Sequence, residues 1–116
     1  AIAQANNALV FPGIGLGAVA CQAERITDRM ISAAAQAVAD MTTMTKPGDR
    51  VLPAIDTMRT VSARVAVAVA KAAAEDGVAE PLENPLQEIW DHMWQPEYPD
   101  VVAVTNQYTR DAKGLV

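Results

Sequence analysis

The chain has 116 residues, of which 51% are hydrophobic, 20% charged and 4% aromatic, and its formal net charge is -5. This composition fits one globular unit and excludes collagen, a disordered tail and a set of several domains. Because the basic residues are scattered and the balance is acidic, we expect no nucleic acid partner. The alanine-rich middle has no apolar run near 20 residues, so we expect no membrane span. A single cysteine, Cys21, cannot form an internal disulfide, which favours a reducing, cytoplasmic compartment.

Alanine content and apolar periodicity predict a mainly α fold with four helices. The first begins at Pro12, since proline fits the first helical turn, and runs to about Gln22 or Ala23. The second has Thr27 as its N-cap and ends near Met41. Its inward stripe, with spacings of three and four, consists of Met30, Ile31, Ala34, Ala37, Val38 and Met41.

The third helix follows a turn predicted from the sequence KPGD at residues 46–49. It begins between residues 56 and 60 and ends before Gly77, which supplies a left-handed cap. Glu75 and Asp76 oppose the helix macrodipole, so we expect both carboxylates to be solvated at a surface end. The inward stripe consists of Met58, Val61, Val65, Ala68, Val69 and Ala72.

The fourth predicted helix is short. Asn84 is its N-cap, Pro85 its first residue, and it closes before Pro96. We expect residues 99–116 to form an extended or frayed tail. The side chains expected to point inward are Leu86, Ile89, Trp90 and Met93.

Three closely spaced glycines, Gly13, Gly15 and Gly17, allow two interpretations. A dinucleotide phosphate loop needs a preceding strand, a βαβ unit and a third glycine at the right offset. Pro12 interrupts any such strand, and Ala18 stands where the final glycine would be needed. We therefore favour the close packing of a helix against another element.

Other reactive side chains are isolated. His92 has no second histidine or cysteine near it for a zinc site, and we interpret it as a half-exposed helix residue. Cys21 lacks a histidine partner and is interpreted as a small buried hydrophobe. The acids around the fourth helix are interpreted as a solvated rim; they are Glu88, Asp91, Glu97 and Asp100. The sequence thus predicts no catalytic residue and no metal ligand in this chain.

Two pairs of side chains suggest binding. Trp90 and Trp94 lie four residues apart, which predicts a patch on one helical face and favours a subunit contact. The carboxamides of Asn6 and Asn7 suit the binding of a carboxylate or carboxamide without a titrating group. A turn or a helix cap is the structural alternative for the asparagines.

The segment 4–17, QANNALVFPGIGLG, resembles the signature near the C-terminal part of malic enzymes and the related malolactic enzymes. The likeness covers roughly residues 3–98 and continues, in order and spacing, through 25–28 (RITD), 51–53 (VLP), 61–70 and 94–98 (WQPEY).

This resemblance implies that residues 1–98 form the helical C-terminal segment of an α/β, Rossmann-like NAD(P)-binding domain, with 99–116 as a tail beyond it. Malic enzymes oxidise malate with NAD or NADP and Mg²⁺ or Mn²⁺, then decarboxylate the product to pyruvate. By the resemblance, Asn6 and Asn7 are substrate- and cofactor-binding residues beside malate and nicotinamide. The family's lysine base, tyrosine acid, metal ligands and phosphate loop belong to parts upstream of the segment that this chain resembles.

The expected partners are malate, the remainder of a malic enzyme chain and a second copy contacted through Trp90, Trp94 and Tyr98. A malolactic enzyme segment is a close alternative, since these residues do not separate release of lactate from release of pyruvate. A non-catalytic helical interaction module is an alternative of another class. The mass of the native protein distinguishes them, because a value near 12.3 kDa favours the module and a several-fold larger one the enzyme.

Overall fold

A computed structural model describes residues 4–102, and helices are the only regular elements in that range. Two 3-10 helices, Asn7–Leu9 and Ile55–Thr57, precede longer helices. The mainly α prediction is confirmed; of the predicted tail, residues 103–116 lie outside the described range. No helix between residues 4 and 102 is long and apolar enough to cross a membrane. The α-helices are α1 (Phe11–Ala20), α2 (Asp28–Asp40), α3 (Met58–Glu75) and α4 (Pro85–His92).

Helix α3 is the centre of the fold, because α1, α2 and α4 all pack against it. Its valines and alanines meet α2 in a core built from small and medium side chains, as the low aromatic content requires. Ile31 and Met58 were predicted to point inward and are exposed instead. Ile31 follows the buried Met30 by one residue, and one residue turns a helix by about 100°. The fully buried core side chains from α2 and α3 include Met30, Ala34, Val61, Val65 and Val69.

Helix α1 ends at Ala20, two or three residues before the predicted end. Gln22 adopts a left-handed backbone with φ 53°, which stops the helix. Its N–H donates to the carbonyl of Val19, and the N–H of Ala23 donates to that of Ala18 at 2.9 Å. This is a Schellman motif with glutamine where glycine is usual, so the sequence lacked the normal stop signal.

The same motif closes α3, where Gly77 has φ 70° as predicted. The N–H of Gly77 donates to the carbonyl of Ala74, and that of Val78 donates to Ala73. Val78 is buried, so the chain turns back into the core directly after the cap. The predicted end of α3 is therefore confirmed.

Thr27 caps α2 as predicted, accepting a hydrogen bond from the N–H of Met30 at 3.2 Å. Its hydroxyl also donates to Asp76 Oδ2 at 2.6 Å, which joins the start of α2 to the end of α3. Arg29 Nε lies 2.8 Å from Asp76 Oδ1, and Arg29 Nη1 lies 3.6 Å from Glu75 Oε2. The prediction of solvated carboxylates is confirmed for Glu75, which is exposed, and is wrong for Asp76, whose side chain is 20% exposed and is bonded to α2. The cation from α2 offsets the unfavourable interaction of these acids with the helix dipole.

Helix α4 ends at His92, earlier than the predicted limit before Pro96. Of the four side chains predicted to point inward, Ile89 is buried and Met93 is half-buried, whereas Leu86 and Trp90 are exposed. Ile89 enters a cluster with Ala20 of α1 and alanines of α3. A helix that touches the core through one residue leaves the flanks of its apolar face in solvent.

The predicted turn at residues 46–49 is present, and Gly48 has φ 93°. The Asp49 carboxylate accepts hydrogen bonds from the N–H groups of Thr45 and Lys46 and from the Thr45 hydroxyl. These donors stabilise the charged form and lower the pKa of Asp49. The connection between α2 and α3 is therefore held by its own side chains.

Candidate functional site

Asn6 and Asn7 lie at the start of the 3-10 helix that precedes α1, and both are exposed. Asn6 is extended, with φ -129°, and its Oδ1 accepts a hydrogen bond from the N–H of Ala8 at 2.9 Å. It therefore caps the 3-10 helix Asn7–Leu9, which is the structural alternative named for this pair. Leu9, 2% exposed, anchors that turn in the core.

The Asn7 side chain has a different environment. Its backbone carbonyl accepts from the N–H of Val10 at 3.1 Å, while its carboxamide makes no hydrogen bond to another side chain or backbone group within residues 4–102. The backbone hydrogen bond thus fixes the position of Asn7, while the N–H and C=O groups of its side-chain carboxamide are exposed. Of the two asparagines, Asn7 is the one whose side chain is available to a ligand.

The electrostatic surroundings favour an anion. Residues 4–23 contain no charged residue, and the first turn of α1 carries no acid. Within this segment no carboxylate offsets the positive end of the α1 dipole. Because carboxamides do not titrate, this site can bind and orient a ligand but cannot accept or donate a proton in a reaction.

Gly13 and Gly17 lie on the face of α1 that meets α3, and both are buried. A Cβ at Gly13 would lie 2.6 Å from Val65 Cβ, and one at Gly17 would lie 2.6 Å from the carbonyl oxygen of Ala66. Both distances are far below normal contact, so only glycine allows this approach. The packing interpretation is confirmed for these two glycines, which lie inside a helix and not in a phosphate loop.

Gly15 does not share that explanation. It is exposed, and a Cβ added there would meet no described atom within 4 Å. Phe11 and Val19, one turn to either side, are 70% and 67% exposed. The spacing of four residues from Gly15 places all three on one face of α1, although no sequence motif marks Phe11 and Val19.

Cys21 is buried, as predicted, with its thiol 3.7 Å from the carbonyl oxygen of Ala18. Burial raises the pKa of the thiol, partly opposed by hydrogen bonds from the backbone. A thiol kept protonated and enclosed is a poor nucleophile. The structure therefore supports the interpretation of Cys21 as a packing residue.

His92 is the last residue of α4 and is exposed, with Nδ1 2.8 Å from the carbonyl oxygen of Glu88. This contact fits a histidine that caps the end of its own helix. The acids of this region do not converge on His92, and no group of three or more potential metal ligands occurs among residues 4–102.

Trp90 and Trp94 do not share a helical face, because α4 ends at His92 and Trp94 follows it. Arg59 of α3 joins them instead. Its guanidinium lies 5.9 Å from the centre of the Trp90 ring and donates to the Trp94 carbonyl and to Gln95 Oε1. Both rings are exposed, but the prediction that they lie on one helical face was wrong, and Arg59 contacts the ring of Trp90 and the backbone of Trp94.

Together, these observations define a helical segment that carries two exposed carboxamides, Asn6 and Asn7, ahead of its first α-helix. The chain matches the family model described as "Malic enzyme, NAD binding domain" over residues 1–74. It is 49% identical over 104 residues to "NAD-dependent malic enzyme 3" of Bacillus subtilis, and 49% identical over 98 residues to "Putative malate oxidoreductase [NAD]" of Mycobacterium tuberculosis. These alignments cover 89% and 84% of the chain.

A third relative, "NAD-dependent malic enzyme" of Pseudomonas savastanoi pv. phaseolicola, is 51% identical over 100 residues, which is 84% of the chain. The chain belongs to the malic enzyme NAD-binding domain family. It spans 18% of the length of each of these three relatives. The relatives are named malic enzymes or malate oxidoreductases, which favours that group over malolactic enzymes.

Proposed function

We propose that this chain is a segment of an NAD-dependent malic enzyme, in which Asn6 and Asn7 help to bind malate and the nicotinamide. The enzyme would oxidise malate and decarboxylate the product to pyruvate, in the cytoplasm. The observation that carries this proposal is the exposed carboxamide pair at the start of the 3-10 helix before α1, in a chain that belongs to the malic enzyme NAD-binding domain family. NAD is favoured over NADP because the similar proteins are named NAD-dependent.

The amide pair fits one part of this reaction. Neutral donors at the positive end of a helix can orient a carboxylate or a carboxamide without competing for its proton. Asn6 would hold the turn in shape, since its side chain caps the 3-10 helix, and Asn7 would contact the ligand. NAD would supply the hydride acceptor and a divalent cation such as Mg²⁺ or Mn²⁺ would supply a Lewis acid, both held by other parts of the enzyme.

The described residues do not fit the other binding tasks. Gly13 and Gly17 of α1 pack against α3 inside a helix, which does not fit a dinucleotide phosphate loop, and residues 4–102 hold no cluster of metal-ligand type. We therefore propose that the remainder of the enzyme chain carries out those tasks.

Asn7→Ala in the full-length enzyme tests the proposal. Losing a hydrogen bond to a charged ligand costs about 1.5–3 kcal/mol, so kcat/KM for malate should fall about ten- to a hundred-fold. The KM for NAD should change much less. Asn6→Ala is the matched control, and it should lower the melting temperature through the lost cap more than it changes malate kinetics. Unchanged malate kinetics in Asn7→Ala with only a lower melting temperature would make the pair structural.

We also propose that the aromatic surface formed by Trp90, Trp94 and Tyr98 is a contact between two copies of the enzyme. All three rings are exposed, and aromatic residues are enriched in interfaces. Replacing both tryptophans by alanine should yield smaller species in analytical ultracentrifugation, whereas replacing both by phenylalanine should retain the oligomer. An unchanged oligomer in the double alanine variant would remove this proposal.

A further inference from the structure

One buried residue connects the asparagine pair to the rest of the fold. Between residues 4 and 12, Leu9 is the only buried residue, and 2% of its surface is exposed, whereas Asn6 and Asn7 are exposed. The half-buried Val10 adds a second, weaker contact with the core. The 3-10 helix that begins at Asn7 contacts both α1 and α3. The attachment of this turn to the core therefore depends mainly on Leu9.

The hydrogen bonds of the turn are local. The N–H of Leu9 donates to the carbonyl of Asn6 at 3.1 Å, and the N–H of Val10 donates to that of Asn7. The side chain of Asn6 accepts from the N–H of Ala8. These three bonds set the shape of the turn, but none of them reaches α3. Successive residues of a 3-10 helix are rotated by about 120°, so a Leu9 side chain held in the core directs Asn7 to a different side.

We propose that Leu9 is a positioning residue for Asn7: its burial in the core fixes where the Asn7 carboxamide meets malate or the nicotinamide. This inference rests on the proposed function, because it takes Asn7 to contact the ligand. A single turn of 3-10 helix does not hold its own orientation, so the place of the carboxamide depends on the residue that anchors the turn. A ligand-binding group displaced by about 1 Å can lower the rate by up to about a hundred-fold.

A double-mutant cycle in the full-length enzyme tests this role. Leu9→Ala should lower kcat/KM for malate about ten-fold, because the loosened turn no longer holds Asn7 in place. In the Asn7→Ala background the same change should lower kcat/KM by less than about two-fold, because the group that Leu9 positions is gone. An equal factor in both backgrounds, or an unchanged kcat/KM in Leu9→Ala alone, would overturn the proposal.

Two further variants separate positioning from stability. Leu9→Met nearly conserves the side-chain volume and should keep kcat/KM within about three-fold of the parent. Val38→Ala removes a buried side chain from α2 and should lower the melting temperature without lowering kcat/KM for malate. A loss of kcat/KM in Val38→Ala as large as that in Leu9→Ala would make the effect one of stability and overturn the proposal.

A milder substitution keeps the test available if Leu9→Ala does not fold. Leu9→Val then takes its place in the cycle, and should lower kcat/KM about three-fold in the parent and leave it unchanged in the Asn7→Ala background. Equal factors would again overturn the proposal.

The same cycle distinguishes failure of this inference from failure of the proposed function. Unchanged malate kinetics in Asn7→Ala alone would overturn the proposed function and the role of Leu9 with it. A large loss in Asn7→Ala combined with an additive effect of Leu9→Ala would overturn only the role of Leu9.

Discussion

Helices α1 and α4 both pack against α3 and both have a proline in their first turn, yet they are held in different ways. Helix α1 approaches α3 through Gly13, which lies against the Val65 side chain, and Gly17, which lies against the backbone of Ala66. Helix α4 has one buried residue, Ile89, while Leu86 is 62% exposed. The contact of α1 depends on residues that have no side chain, whereas the contact of α4 depends on the burial of one apolar side chain. The two contacts should therefore respond differently to substitution.

Substitution of Ile89, the buried residue of α4, should have the largest effect on stability. Ile89→Ala leaves a cavity between α4 and the alanines of α1 and α3, and should cost about 2–5 kcal/mol of local stability. Amide hydrogen exchange in the full-length protein should then accelerate across α4 and less in α2. Leu86→Ala on the exposed side of the same helix is the control and should stay within about 0.5 kcal/mol of the parent. Equal effects would mean that the outer side of α4 is covered.

The contact between α1 and α3 should be weakened by added side-chain volume, because the glycines at this contact have no side chain to remove. Gly17→Ala places a Cβ where the Ala66 carbonyl oxygen is 2.6 Å away, and should cost about 1–3 kcal/mol through a shift of the two helices. Exchange should accelerate in α1 and in the facing turn of α3, with α4 less affected. Gly13→Ala should act in the same direction, because Val65 blocks its Cβ. Unchanged exchange would show that α1 can move away without loss of packing.

The junction between α2 and α3 should show the smallest effect of the three. Thr27→Ala removes both an N-cap and the donor to Asp76, and should cost about 0.5–2 kcal/mol. Thr27→Ser keeps the hydroxyl and is the matched control. Exchange in the first turn of α2 should accelerate in the alanine variant only. An equal loss in serine would point to the methyl group and not to the two hydrogen bonds.

Local chemistry was sufficient to predict several elements. Thr27 as the cap of α2, Pro85 at the start of α4, Gly77 after α3 and the turn at 46–49 all act within a few residues of themselves. The sequence also indicated the family, because the order of residues in the segment 4–17 is specific to it. The role of the asparagines stays a prediction, since the sequence and the fold place them without a ligand.

The burial of individual side chains and the long-range pairings depended on which helices pack against each other. Periodicity assigned Leu86 and Trp90 to an inward face, but α4 reaches the core through Ile89 alone, because α3 faces only one edge of that stripe. The pairing of Asp76 with Thr27 and Arg29 joins residues about fifty positions apart, which no local rule predicts. The sequence by itself determined where the helices begin and that they must pack through small side chains. Tertiary structure decided which side of each helix is covered, because burial is a property of the neighbour as much as of the residue.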